Sequence, residues 1–136
     1  MGRVIHFEIH TSDPKRAANF YSGVFGWKIE EWKIPGVKIK EQNRYWNVTT
    51  GPDSEPGING GIVIRDRHSL LSSQPANAFV CTVGVEDLDS SIQKAIALGG
   101  SLAQPRMPVM GIGWLAYCID TEGNTFGMLQ TDKNAK

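Results

Sequence analysis

Hydrophobic and polar residues alternate strictly near the start of the chain. Ile5, Phe7 and Ile9 fall on one side of Arg3 to His10, and His6, Glu8 and His10 fall on the other. A period of two predicts a strand. Ser12-Asp13-Pro14 follows, with Asp13 suited to an N-cap and Pro14 to the first helical position. The helix should run to about Phe25, with Ala17, Phe20, Tyr21 and Val24 at core spacing and Gly26 just past its end. Three more strands are predicted at 27–32, 44–50 and 60–65, with turn chemistry at 51–57. Residues 66–76 are polar, contain Ser72, Ser73 and Pro75, and read as a connector.

The pattern then restarts. A strand is predicted at 78–85. Glu86-Asp87 opens a helix whose apolar stripe is Leu88, Ile92, Ala95, Ile96 and Leu98, and Gly99-Gly100 closes it. Strands follow at about 101–109, 113–119 and 125–130, the last two separated by the turn at 120–124. A shift of 74 positions superposes the halves without a gap: Ile5 falls on Phe79, Phe7 on Cys81, Ile9 on Val83, Asp13 on Asp87 and Gly26 on Gly100. Few residues are identical, but the element order β-α-β-β-β recurs. The expectation is an α+β domain of two pseudo-symmetric modules, 1–66 and 77–136, joined by a connector at 67–76.

Composition narrows the function. Fourteen Lys and Arg balance fourteen Asp and Glu, so no basic excess points to nucleic acid or to an anionic membrane. No apolar run approaches the length of a membrane span or a secretory signal. Two cysteines, Cys81 and Cys118, form no CxxC and no disulfide framework. A reduced, cytoplasmic chain is expected.

The stretch HFEIHTSDPKRAANFYSGVFGW resembles the opening strand and helix of the vicinal oxygen chelate superfamily. That group includes glyoxalase I, bleomycin-resistance proteins, extradiol dioxygenases and methylmalonyl-CoA epimerase. The carrying residues are Asp13, Phe20-Tyr21 and Phe25-Gly26-Trp27. VGVEDLDSSIQKAIALGG resembles the family's second helix, and YCIDTEGNTFGML its last turn and strand. The resemblance implies two βαβββ modules that form a curved mixed sheet around a cleft, with the helices outside. It also implies a homodimer, and it leaves the reaction open because the fold hosts many chemistries.

The family's metal ligands lie on the first and last strands of each module. His6 matches the first-strand position of module one, seven residues before Asp13. Its repeat partner is Val80, and the last-strand positions fall at or near Gly61 and on Gly127. One of four ligand positions is therefore retained, at His6. A divalent metal needs several oxygen or nitrogen donors, so no metal or other cofactor is expected at the standard site, with a relocated metal as the alternative.

The remaining candidates share the first strand or carry aromatic rings. His6, Glu8 and His10 lie on one strand face. They read as ligand contacts, as a His6/Glu8 acid–base pair, as a metal nest, or as a partly solvated polar stripe. His6 and His10 stand ~13 Å apart along a strand, too far to share one ion, which favours His6 with Glu8. Tyr117 holds a position like that of the catalytic tyrosine of the resembled dioxygenases, and reads as a hydrogen-bond donor to a ligand or as a packing residue. Trp46, with Tyr45, Trp32 and Trp114, offers aromatic surface for a pocket, a core or a dimer contact. The run 107–114 reads as an apolar hairpin, a lid or an interface loop.

The function expected is binding of a small apolar or aromatic molecule through His6, Glu8, Trp46 and Tyr117. The alternative is a lyase, isomerase or dioxygenase that uses a relocated metal or the His6/Glu8 pair.

Overall fold

The structure is a computed structural model that describes residues 2–65 and 78–136. The predicted connector, with His68, Ser69, Ser72 and Ser73, lies outside the described residues. The described residues divide into two compact units. An amino-terminal unit takes 6–65 and 78–79, and a carboxy-terminal unit takes 2–5 and 80–136.

The amino-terminal unit contains β1 (Val4–Thr11, from residue 6 onward), α1 (Pro14–Phe25), β2 (Lys28–Glu31), β3 (Tyr45–Thr49) and β4 (Gly60–Ile64). Its strand order is β2-β3-β4-β1, with β1 parallel to β4 and the other pairs antiparallel. The carboxy-terminal unit contains β5 (Val80–Gly84), α2 (Leu88–Ala97), β6 (Ser101–Val109), β7 (Gly113–Ile119) and β8 (Thr125–Thr131). Its order is β5-β8-β7-β6, with β5 parallel to β8 and the rest antiparallel. Each unit is thus the same βαβββ module, and the fold is α+β.

The helix ends follow from local chemistry. The Asp13 carboxylate accepts from the Arg16 N–H at 3.0 Å, and Gly26 closes α1 at φ +72°, a left-handed value that a side chain resists. Asp87 does the same for α2, accepting from the Ser90 N–H at 2.9 Å.

Each unit has its own core. Leu88 and Ile92 of α2 pack with Ala116, Cys118 and Met128. Phe7, Ile9, Val48 and Ile62 pack beneath Ala17, Ala18 and Tyr21 of α1. The predicted stripe on α1 is only partly the packing row. Phe20 is 59% exposed and Val24 57%, because the contact face centres on Ala17, Ala18 and Tyr21. Phe20 sits one residue, about 100° of helical turn, off that face, and its ring meets Tyr21 edge-on at 5.1 Å from the solvent side. On α2, Ile96 and Leu98 are likewise outside the core, as is Ile5 on β1. In the predicted apolar hairpin, Met110 and Ile112 are exposed at the β6–β7 turn.

Leu88 is fully buried whereas Leu98, at the end of the same helix, is 79% exposed. Leu88→Ala should therefore cost about 2–5 kcal/mol in urea unfolding. Leu98→Ala should stay within about 0.5 kcal/mol. Equal losses would contradict the packing described.

Candidate functional site

The chemistry-bearing face of the amino-terminal unit is set by strand parity. On β1, Phe7 and Ile9 enter the core, so His6, Glu8 and His10 share the opposite face. Parallel pairing places Glu8 beside Gly61 and His10 beside Val63. Antiparallel pairing places Tyr45 beside Val63. Tyr45 therefore stands on the same face as the β1 polar row. The β3–β4 connection helps hold that register: Thr50 N–H donates to Asn59 Oδ1 at 2.9 Å, and the Thr50 hydroxyl donates to the Ile58 carbonyl at 2.7 Å.

Tyr45 Oη lies 2.8 Å from His6 Nε2. Burial pushes the His6 imidazole below its ordinary value, an effect that the Glu8 charge partly offsets. Burial, then the same Glu8 charge, pushes the Tyr45 phenol well above its ordinary value. Both groups are held neutral. A phenol that donates to Nε2 leaves the imidazole proton on Nδ1, and an imidazole protonated at Nε2 instead donates to the phenol oxygen.

Glu8 is buried, and its Oε1 lies 3.7 Å from His10 Nε2. The carboxylate thus stands beside both histidines: it lies 3.7 Å from His10 Nε2 and acts through its charge on His6. Both ring nitrogens of His10 are buried without a hydrogen-bond partner among the described residues. His10 also lines a hollow of about 250 Å³ with Thr11, Tyr21, Arg65 and Phe79, and the Arg65 guanidinium donates to the His10 carbonyl at 3.1 Å. A larger hollow, about 370 Å³, lies along the segment after β2, between Trp32, Ile34, Val37 and Arg44, and does not include the His6 row.

Gly61 explains why Tyr45 reaches His6. A Cβ at Gly61 would enter the space of the Tyr45 hydroxyl and ring. The carboxy-terminal unit repeats the arrangement. Thr82, which falls on Glu8 in the 74-residue shift, pairs with Gly127. A Cβ at Gly127 would meet Thr82 Oγ1 at 3.0 Å and Tyr117 Cε1 at 3.3 Å, Tyr117 being its cross-strand neighbour. Val80, the repeat partner of His6, is buried and apolar.

The residues do not fit the four-ligand metal set that the resemblance implies. Val80, Gly61 and Gly127 bring no donor atom, and the ligand nitrogen of His6 already faces a phenol. Among the described residues, no three His, Cys, Asp or Glu side chains gather in a metal-holding group.

Trp46 is placed differently from Tyr45. Alternation turns it to the other face, against the Phe7–Ile9–Val48–Ile62 core, with the Arg44 guanidinium 4.7 Å from its ring centroid. Arg44 is itself fixed by Glu31 at 2.9 Å and Glu41 at 3.0 Å. Tyr117 lies half-buried on β7 of the other unit. Cys81 is exposed, while Cys118 is buried, and burial pushes its thiol up. Tyr45 is the residue the sequence reading undervalued. Its signal is parity: two positions before Asn47, it faces Gly61 only once the β3–β4 register is known.

Two βαβββ modules, each with a tyrosine over a last-strand glycine, define a glyoxalase-type fold. The sequence profile described as "Bleomycin resistance protein-like N-terminal" matches residues 3–36. The chain is 22% identical over 134 residues to CFP32, a protein of Mycobacterium tuberculosis and Mycobacterium bovis named as a glyoxylase, covering 93% of this chain and 45% of that one. It thus spans about half the length of those mycobacterial relatives. It is 29% identical over 133 residues to a glyoxylase-like domain-containing protein of Didymella fabae, covering 91% and 90%. Methylmalonyl-CoA epimerase from Mycobacterium tuberculosis shares the fold at a TM-score of 0.64 and 14% identity, covering 96% of this chain and 88% of the epimerase. A further such epimerase, solved in complex with methylmalonyl-CoA, matches at the same TM-score. The profile match over residues 3–36, the glyoxylase-named relatives and the shared fold together support a likeness to the vicinal oxygen chelate superfamily, the glyoxalase and bleomycin-resistance group.

The buried imidazole gives a pH dependence whose sign is fixed. The unfolded chain takes up a proton at His6 as pH falls through 6.5, while the folded chain resists to a lower pH. The unfolded state then binds more protons, so stability should fall on acidification below 6.5 and not above it. The His6 Cε1–H midpoint in an NMR titration should lie below 6.5. Glu8→Gln should lower it further, because the Glu8 charge raises it. A wild-type midpoint at or above 6.5 would contradict the burial described.

Proposed function

We propose that the chain is a small-molecule-binding member of this superfamily that holds its ligand without a divalent metal. The observation that carries this reading is the His6–Tyr45 hydrogen bond over Gly61. A metal site would need His6 Nε2 free and a donor at position 61. Here the nitrogen faces a phenol, and position 61 has no side chain. What this face offers instead is a set of hydrogen-bonding groups: the Tyr45 hydroxyl, the His6 imidazole, the Glu8 carboxylate, and a His10 ring whose buried nitrogens lack a partner. A buried polar atom without a partner costs free energy, and a ligand hydroxyl or carbonyl would recover it.

The ligand is a compact organic molecule with an apolar or aromatic body and one or two oxygens. His6 and Glu8 contact its polar end, and Tyr117 on β7 is the further hydroxyl proposed as a ligand contact. Trp46 supports the site from the core side of β3. A homodimer in a reducing, cytoplasmic setting accords with two free cysteines and zero net charge.

A second reading keeps the same residues but makes them catalytic. Glu8 raises the His6 imidazole against the effect of burial, as a general base would need for lyase or isomerase chemistry.

Protein freed of metal with EDTA would be titrated with small aromatic aldehydes, ketones and acids, following the His6 and Tyr45 ring signals by NMR. At least one compound should move both signals, and His6→Ala should weaken its binding about tenfold or more, the loss of one or two hydrogen bonds. One tightly held divalent ion per chain, lost in His6→Ala, would overturn the metal-free reading. Turnover of a bound compound that depends on both His6 and Glu8 would select the catalytic one.

A further inference from the structure

We infer that Tyr45 determines what this site accepts: its phenol occupies the place from which a side chain at position 61 would reach His6, and so it selects an oxygen-bearing organic ligand over a divalent cation. The inference rests on the metal-free reading above and assigns its cause to one residue.

Three observations converge on Tyr45. Register places Gly61 directly beside Glu8, on the face that carries His6. A Cβ built at Gly61 enters the Tyr45 hydroxyl, and its distance to Tyr45 Cε2 is only 2.6 Å. The same hydroxyl lies 2.8 Å from His6 Nε2. A carboxylate growing from position 61 would therefore head for the point where the phenol meets the imidazole. Glycine and tyrosine are two halves of one device: without the first, the ring cannot lie there, and without the second, the space opens.

The other unit carries the device independently. Tyr117 and Thr82 close over Gly127, the residue paired with Thr82. A tyrosine from the neighbouring strand thus covers the last-strand glycine in both units. The two tyrosines sit at different cross-strand positions, Tyr45 beside Val63 and Tyr117 beside Gly127 itself. The repeat alone does not dictate the match, so each ring fills its own gap.

The chemical consequence is a change in what His6 can recognise. A neutral phenol–imidazole pair donates to, and accepts from, ligand oxygens. It offers little to a hard divalent ion, which needs several anionic or neutral donors directed inward. Removing Tyr45 and supplying a carboxylate at position 61 would leave His6, Glu8 and the new group on one face, a three-donor set of the kind that holds zinc.

Zinc alone serves as the probe, measured by calorimetry on wild type, Y45A, G61E, the double variant Y45A/G61E, and that double variant with H6A added, each checked for folding by circular dichroism. Wild type should show no His6-dependent zinc binding, and G61E, whose added Cβ displaces the ring without removing it, should bind zinc less tightly than the double variant. The folded double variant should bind zinc at least about tenfold tighter than wild type and lose that gain with H6A, since even a partner that merely orients a ligand is worth 10- to 100-fold. If wild type itself binds zinc through His6, both the metal-free reading and this inference fail. If wild type does not bind and the folded double variant does no better, the metal-free reading stands and the role given to Tyr45 falls. Should the double variant not fold, G61A decides. Its added methyl must displace the ring, so the His6 imidazole ¹⁵N signals should move as far as they do in Y45F. An unmoved His6 in folded G61A would overturn the coupling between Gly61 and Tyr45.

Discussion

The parallel pairing of first and last strands within each unit is the constraint on which the rest depends. It sets Glu8 beside Gly61 and Thr82 beside Gly127. Parity then sends Phe7, Ile9 and Ile62 into the core and leaves His6, Glu8 and His10 on the other face. Shifting β1 by one residue would turn this polar row into the core and expose Phe7 and Ile9. Fold and site are therefore fixed by one register. The apolar residues that hold β1 in place are the reason its polar residues face together.

The site that results is unusual in what it lacks. A strand-borne imidazole beside a buried carboxylate is a natural start for a metal centre, yet the position paired with Glu8 on β4 is Gly61, which brings no donor atom. Gly61 and Gly127 are not mere deletions. Each makes room for a tyrosine ring, and at Gly61 that ring reaches the imidazole itself. Burial keeps both partners neutral, so the contact is a hydrogen bond between neutral groups in a partly dry setting, where such bonds are strong and unpaired polar atoms are costly. That condition suits recognition of a ligand oxygen. It also makes His6 a poor site for a proton until the pH falls below the ordinary histidine range.

Much of this was legible in the sequence because it follows from short-range rules. Alternation gave β1 and its polar face. Asp13, Gly26 and Asp87 marked helix ends through side-chain capping and a left-handed glycine. The shift of 74 set Val80 against His6, and the family resemblance placed Gly61 and Gly127 on the last strands. What was not legible needed longer-range information. The packing face of α1 is rotated relative to its apolar stripe because the small Ala17 and Ala18, with Tyr21, approach the sheet most closely. Tyr45 was one aromatic among several until the β3–β4 register, held across the intervening loop by Thr50 and Asn59, placed it over Gly61. Trp46, its neighbour, looked the better pocket residue by size, but alternation alone sends it to the core.

The central claim is that His6 is engaged by Tyr45 in place of a metal ion. The most direct measurement is a long-range ¹H–¹⁵N spectrum of the His6 imidazole at neutral pH, recorded before and after a several-fold excess of zinc. The account predicts a neutral ring in a single tautomer, changed by Tyr45→Phe and unmoved by zinc. A ring whose signals shift or broaden stoichiometrically with zinc, and which ignores Tyr45→Phe, would contradict it.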